Sequence, residues 1–200
     1  MLDGARECIR ALHTRLTEWV GLDTKASENA GVGQKTVSPD IWELFDIPNI
    51  EQGGVGSYLT AILTRCSELF SAPVASVFVA DRSGHIRCQA AIGTTISPTT
   101  TLSEGVGIAG TALLHGKAML VNDPATNPII APQVTAKRTE LGSAMVVPLI
   151  TNGRKLGVLN LARNISAPAF NKTDLAKANT LAHHISLAVA NWRLIEEIRS

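Results

Sequence analysis

The chain has 200 residues, of which 45% are hydrophobic, enough to build one core with extensions and no disulfide support. Its formal net charge of +1 and lack of a lysine- or arginine-rich run exclude a broad electrostatic grip on nucleic acid. Three scattered cysteines, Cys8, Cys66 and Cys88, have no C-x-x-C spacing; they suggest neither a disulfide framework nor a zinc site and suit a reducing cytoplasm. Charges run through MLDGARECIRALHTRLTEWV, so it is not a signal peptide. No stretch reaches 18 uncharged apolar residues, so no membrane span is expected.

Residues 1–20 read as an amphipathic helix. Leu2, Ala5, Ile9, Leu12, Leu16 and Trp19 step by three and four, the geometry of a coiled-coil seam. Residues 21–50 read as a flexible linker: the polar, glycine-rich GLDTKASENAGVGQKTVSP, then one apolar turn at IWELF. A domain is expected over 51–200. It opens with a helix from about Ser57 to Phe70, on which Leu59, Ile62, Leu63 and Cys66 recur at helical spacing. VASVFVAD (74–81) is β-branched and reads as a buried strand. Asp81-Arg82-Ser83-Gly84 turns it into an antiparallel partner, HIRCQAAIG (85–93).

TTISPTTTLSEG reads as loop, 107–116 as a short helix, 117–123 as a short strand, and 124–142 as a long connection with a helical turn near 134–140. SAMVVPLI and RKLGVLNLAR flank Asn152-Gly153, a strong hairpin signal. The final helix, about 171–199, has Asn171 or Thr173 as cap and Asp174 near its positive end. Its stripe of Ala178, Leu181, Ile185, Ala188, Trp192 and Ile195 forms a second seam. No glycine or proline stops it, which suggests a helix continuing into an output domain. The order of elements predicts an α+β fold with an antiparallel sheet.

Four stretches, VASVFVADRSGHIRCQAAIG, LSEGVGIAGTALLHGKAMLVND, GSAMVVPLITNGRKLGVLNLAR and PAFNKTDLAKANTLAHHISLAVANWRL, together resemble the GAF domain, a relative of the PAS domain. The resemblance covers residues 57–193. It implies a six-stranded antiparallel sheet with the N- and C-terminal helices on one face, often in a parallel dimer bundle. Short helices and loops cover a ligand pocket on the other face. It implies a cytoplasmic sensory module of a signal-transduction protein, not an enzyme, acting on a kinase, phosphatase, cyclase or transcription-activator output domain.

The cyclic-nucleotide subset of that family carries Asn-Lys, then Phe, then Asp-Glu. Phe170 and Asp174 match, but Arg163-Asn164 and Leu175 depart from it, which counts against cyclic nucleotides. No cysteine precedes a histidine, against a covalent bilin. Relatives that reduce free methionine sulfoxide use cysteines of the covering loop, and 122–142 has none.

The residues assigned to a small-molecule ligand are Cys88, Gly107, Ile108, Thr111, Asp123, Asn127, Ser143, Met145 and Asn160. Asn160 lies mid-strand among apolar residues and must find a partner. Ser143 and Met145 share one face of their strand by alternation. Asp123 and Asn127 begin the presumed cover, where Asp123-Pro124 also reads as a turn. Cys88 reads as a pocket-lining residue, since a reactive thiol needs a cationic neighbour or a helix start. Gly105 to Gly110 spell G-x-G-x-x-G. The dinucleotide reading requires a strand directly before it. Without one, the motif is a tight helix start whose amides are able to hold an anion. The rivals are a pure dimerisation module with a filled pocket, its seams at 2–19 and 178–195, and a haem or iron gas sensor using His115, His183 or His184.

Overall fold

A computed structural model describes residues 50–81, 83–94, 96, 99–122 and 141–199. The expected helix at 1–20, the linker, the IWELF turn and the helical turn near 134–140 lie outside the described residues. α1 (Ile50–Leu69) bends at Gly54, whose φ of 71° and ψ of 176° interrupt the helix. β1 (Val74–Ala80) and β2 (Ile86–Ile92) form the first hairpin. β3 is a two-residue strand, Thr101–Leu102, paired antiparallel with β2; it corrects the expectation of a plain loop there. α2 (Gly107–His115) leads to β4 (Met119–Asn122). β5 (Leu141–Thr151) and β6 (Arg154–Asn164) form the long hairpin, and α3 (Lys172–Arg199) follows. Asn152 and Gly153 have φ of 49° and 72°, the two left-handed positions that a type I′ turn demands.

The strands make one six-stranded sheet in the order β3-β2-β1-β6-β5-β4, and every pairing is antiparallel. Chain neighbours pair wherever a hairpin joins them, while β1 meets β6 across 84 residues of sequence at Ser76–Asn160. α1 lies over β1 and β2, and α3 lies over β5 and β6. Both helices cover the same face. Leu59, Ile62, Leu63 and Cys66 of α1 and Ala178, Leu181, Ala182, Ile185 and Val189 of α3 pack there on Val77, Val79, Met145, Val147, Leu149, Leu159 and Leu161. Each of the larger side chains contributes about 1.5–3 kcal/mol by leaving water.

This packing corrects one expectation. The stripe spacing predicts a seam at Ala178, Leu181 and Ile185, but these residues fill the chain's own core. A stripe at spacing three and four serves either purpose, and here the sheet occupies it. The apolar residues that α3 leaves exposed are instead Leu187, Leu194, Ile195 and Ile198.

The opposite face carries a smaller cluster. Phe78, Ile86, Val146 and Val158 of the sheet pack with Ala112 and Leu113 of α2. A β-bulge lies where Val77 opposes Ala90 but Phe78 opposes Cys88. The extra residue, Gln89, switches the parity of β2. Ile86 and Cys88 therefore belong with α2, and Ala90 and Ile92 belong with the terminal helices.

α3 begins with a reciprocal cap. Asn171 Oδ1 accepts from the amides of Thr173 and Asp174 at 2.8 and 3.0 Å, and Asp174 Oδ2 accepts from the Asn171 amide at 3.1 Å. These bonds satisfy donors that a helix start leaves unpaired.

Candidate functional site

The face opposite α1 and α3 divides into two halves. One half is roofed by α2. There Ile108 and Ala109 join the cluster around Phe78 and Val158, and Cys88 and Met119 pack at its margin. In the other half the sheet presents small side chains. Alternation and register place Val74, Ser76, Ala91, Asn160, Ala162 and Ala144 on this surface. Val121, opposite Ala144, borders it. Val74, Ala91, Ala144 and Ala162 join neither apolar cluster of the described residues.

Ser76 and Asn160 stand directly opposite each other on the two central strands. Asn160 Nδ2 donates to Ser76 Oγ at 3.1 Å. Ser76 is only 7% exposed, so its hydroxyl needs a partner, while Asn160 is half-buried. Its oxygen accepts from Asn160, which leaves the hydroxyl hydrogen to donate elsewhere. Asn160 Oδ1 meets no donor among the described residues. The pair thus offers a hydroxyl donor and an amide acceptor side by side. No charged side chain of the described strands lies on this half of the face.

Ser143 and Met145 do not belong here, and this corrects their assignment. Met145 is fully buried among the terminal-helix contacts, and Ser143 Oγ accepts from the Phe170 amide at 3.3 Å. They do share a face, as alternation requires, but it is the face that α1 and α3 cover. Asp123 and Asn127 lie outside the described residues. Gly107 and Thr111 are half-buried on α2. Cys88 is half-buried, and its thiol donates to the Ala90 carbonyl at 3.5 Å. Burial pushes that thiol above its ordinary value, the opposite of what a nucleophile needs. Cys66 is fully buried in the terminal-helix core, with its thiol pushed up to about 12.

The G-x-G-x-x-G stretch serves packing. Gly105 and Gly107 have φ of 79° and 64°, and a Cβ on Gly110 would stand 2.2 Å from the Ser103 carbonyl oxygen. The Gly105 amide already donates to the Gly110 carbonyl at 2.8 Å. The strand before the motif, β3, is antiparallel to its neighbour, whereas a dinucleotide fold requires a parallel βαβ unit. His115 ends α2 before the left-handed Gly116. His183 and His184 sit on α3, across the sheet from the Ser76 surface, with their rings edge-on at 5.9 Å.

A third arrangement ties the sheet to α3. Asn122 Nδ2 donates to the Phe170 carbonyl at 3.3 Å, while the Phe170 amide donates to Ser143. Arg163 lies over the Phe170 ring at 4.0 Å. Its Nε donates to the Phe70 carbonyl at 2.8 Å, and its Nη1 reaches Asp174 at 3.5 Å. Sequence reasoning noted Arg163, Phe170 and Asp174 only as motif positions and passed over Ser76 and Asn122. A lone serine inside the run VASVFVA was the available signal for Ser76.

The sequence profile of the GAF domain matches residues 55–190. No curated protein matches the chain. Among solved structures, the GAF domain of a phosphoenolpyruvate-protein phosphotransferase from Coxiella burnetii is 22% identical, with a TM-score of 0.65, covering 78% of this chain and 91% of that one. The free methionine-R-sulfoxide reductase of Neisseria meningitidis, solved with its substrate, is 22% identical at a TM-score of 0.63, covering 84% and 98%. A methyl-accepting chemotaxis protein fragment, residues 122 to 287, is 18% identical at 0.59, covering 71% and 92%. These likenesses share the fold, while the profile match spans about two thirds of the sequence. With its antiparallel sheet, its paired terminal helices and the matched stretch from α1 into α3, the chain belongs to the GAF domain family.

Proposed function

We propose that this chain is a sensory or regulatory GAF module that binds a small molecule over the Ser76–Asn160 half of its sheet and passes the change outward through its terminal helices. The observation that carries this reading is the polar pair set among Ala91, Ala144 and Ala162. Small side chains on a sheet leave space above them, and a partly buried polar pair with hydrogen-bonding capacity that the described residues leave unused orients whatever fills it. In this reading the ligand is a diffusible metabolite. The exposed Leu187, Leu194, Ile195 and Ile198 of α3 support contact with a second copy or with an output domain in a cytoplasmic signalling protein. The ligand acts only if it binds two packings of those helices unequally. Titrating metabolites against the purified chain and following thermal unfolding tests this. Ligand-dependent stabilisation that disappears in Ser76→Ala supports it, and indifference to every nucleotide, amino acid, organic acid and ion tried refutes it.

The reductase likeness, with Cys88 on the same side of the sheet as the proposed site, favours a second reading, reduction of a sulfoxide. The raised thiol of Cys88 and the position of Cys66 in the opposite core weigh against it. Turnover of free methionine sulfoxide by the chain, lost in Cys88→Ser, would establish the enzyme.

A further inference from the structure

Resting on the proposed outward route through the terminal helices, we infer that α3 pairs in parallel and in register with α3 of a second copy of this chain, along Leu187, Asn191, Leu194 and Ile198, and that Asn191 fixes the direction of the pair. The first observation is where these residues lie. Their spacing of four, three and four puts them on one line down the helix. All four are exposed. At about 100° per residue, that line stands opposite Ala182, Ile185 and Val189, which are buried against the sheet. Arg193, on the sheet side of the helix, donates to the Ala80 carbonyl at the end of β1. The sheet thus holds α3 with this line turned outward.

The second observation is the chemistry of the line. Written as a heptad, Leu187 and Leu194 take d, and Asn191 and Ile198 take a. Leucine at d with a β-branched residue at a favours two strands, and a single asparagine at a selects register. Ala182, Ile185, Ser186, Val189 and Arg193 then fall at b, c and f, the positions that a two-stranded coil leaves free. Domain and coil therefore do not compete for the same side chains. In a parallel, in-register pair Asn191 meets its own copy, and an amide both donates and accepts. In an antiparallel pair a positions face d positions, and Asn191 is buried against leucine at the cost of its hydrogen bonds. The stripe of Leu2, Ala5, Ile9, Leu12, Leu16 and Trp19 is apolar throughout, so it offers Asn191 no amide, whereas a second copy does. The seam is short, but the domain already forms α3, so pairing bears no helix-nucleation cost.

Light scattering of the full chain tests this. We expect the mass of two chains of 21.2 kDa each, and of one chain in Leu194→Asp. Asn191→Asp sets two carboxylates face to face and should weaken association at least about tenfold. In a Cys8→Ser/Cys88→Ser background, Leu187→Cys and Leu194→Cys should each give disulfide-linked dimers on mild oxidation. Asn179→Cys, exposed but off the line, should not. An antiparallel pair permits at most one of the two cross-links and overturns the inference. A dimer that Leu194→Asp leaves intact overturns it too, as does a chain still monomeric at about 100 μM. If that monomer melts lower in Leu194→Asp, another segment of the same chain covers the line. A parallel dimer whose melting no metabolite shifts keeps the inference and removes the sensory reading; a monomer stabilised by a metabolite does the reverse.

Discussion

Met145→Ala separates the two faces of the sheet. Met145 is fully buried and packs between the sheet and the terminal helices. Truncation removes three heavy atoms from a site walled by Val147, Leu159 and Leu161 on the sheet and by Leu181 and Ile185 on α3, all buried in one cluster. The walls belong to paired strands and a 28-residue helix, so the space will close only in part. Buried Met→Ala changes cost about 2–5 kcal/mol, and the rigid setting argues for the middle of that range. For a domain of this size each kcal/mol lowers Tm by about 2–4 °C, so a loss of about 3 kcal/mol predicts a fall of about 6–12 °C. Urea unfolding followed by circular dichroism measures it, with an unchanged m value showing that only stability moved. A loss below about 1 kcal/mol, or altered ligand affinity at unchanged stability, would refute the placement of Met145 in the helix-covered core.

Other expectations follow from single contacts. Gly110→Ala drives a Cβ into the Ser103 carbonyl and should cost about 1–3 kcal/mol, read by urea unfolding; a neutral result would refute the tight start of α2. Tyr58 and Cys66 are both pushed up to about 12 by burial, from ordinary values of 10.0 and 9.0. Their folded values lie above their unfolded ones, so stability is intact below about pH 9 and is lost as pH rises toward 12; Tyr58→Phe/Cys66→Ala should flatten that decline. His184 is held below its ordinary 6.5, first by burial and then by His183. The unfolded chain therefore takes the proton first, and Tm should fall as pH drops through 6.5, less so in His184→Gln. In a Cys8→Ser background, iodoacetamide should modify Cys88 more slowly than a free thiol and reach Cys66 only after unfolding. Rapid labelling of Cys66 in the native protein would contradict its place in the core.

Most of the fold was legible because its signals are local. The Asn152-Gly153 turn, the β-branched run of β1 and the glycine after His115 each specify their own geometry. What was not legible depended on contacts across the sheet. Alternation groups Ser143 with Met145 and Val147, but Ala144, Val146 and Pro148 of the other set are mostly apolar too, so the sequence of β5 does not say which set faces the helices. The bulge at Gln89 leaves no mark in IRCQAAI, yet it sends Cys88 and Ala90 to opposite layers. β3 is too short for any period to register. On α3 the same spacing that suits a partner helix suits a sheet. Asn160 could be singled out as a buried amide needing a partner; that the partner is Ser76, 84 residues away, could come only from the pairing of β1 with β6.

Phe170 has both of its backbone polar groups engaged by the edge of the sheet, the amide by Ser143 of β5 and the carbonyl by Asn122 of β4. The next residue, Asn171, caps α3. The last helix is consequently hinged at no flexible joint; it is riveted at its first turn to the β4–β5 margin. Any tilt of that margin swings the far end of a 28-residue rod, about 42 Å long at 1.5 Å per residue, so that a small angular change at the sheet becomes a much larger sideways displacement at Arg199.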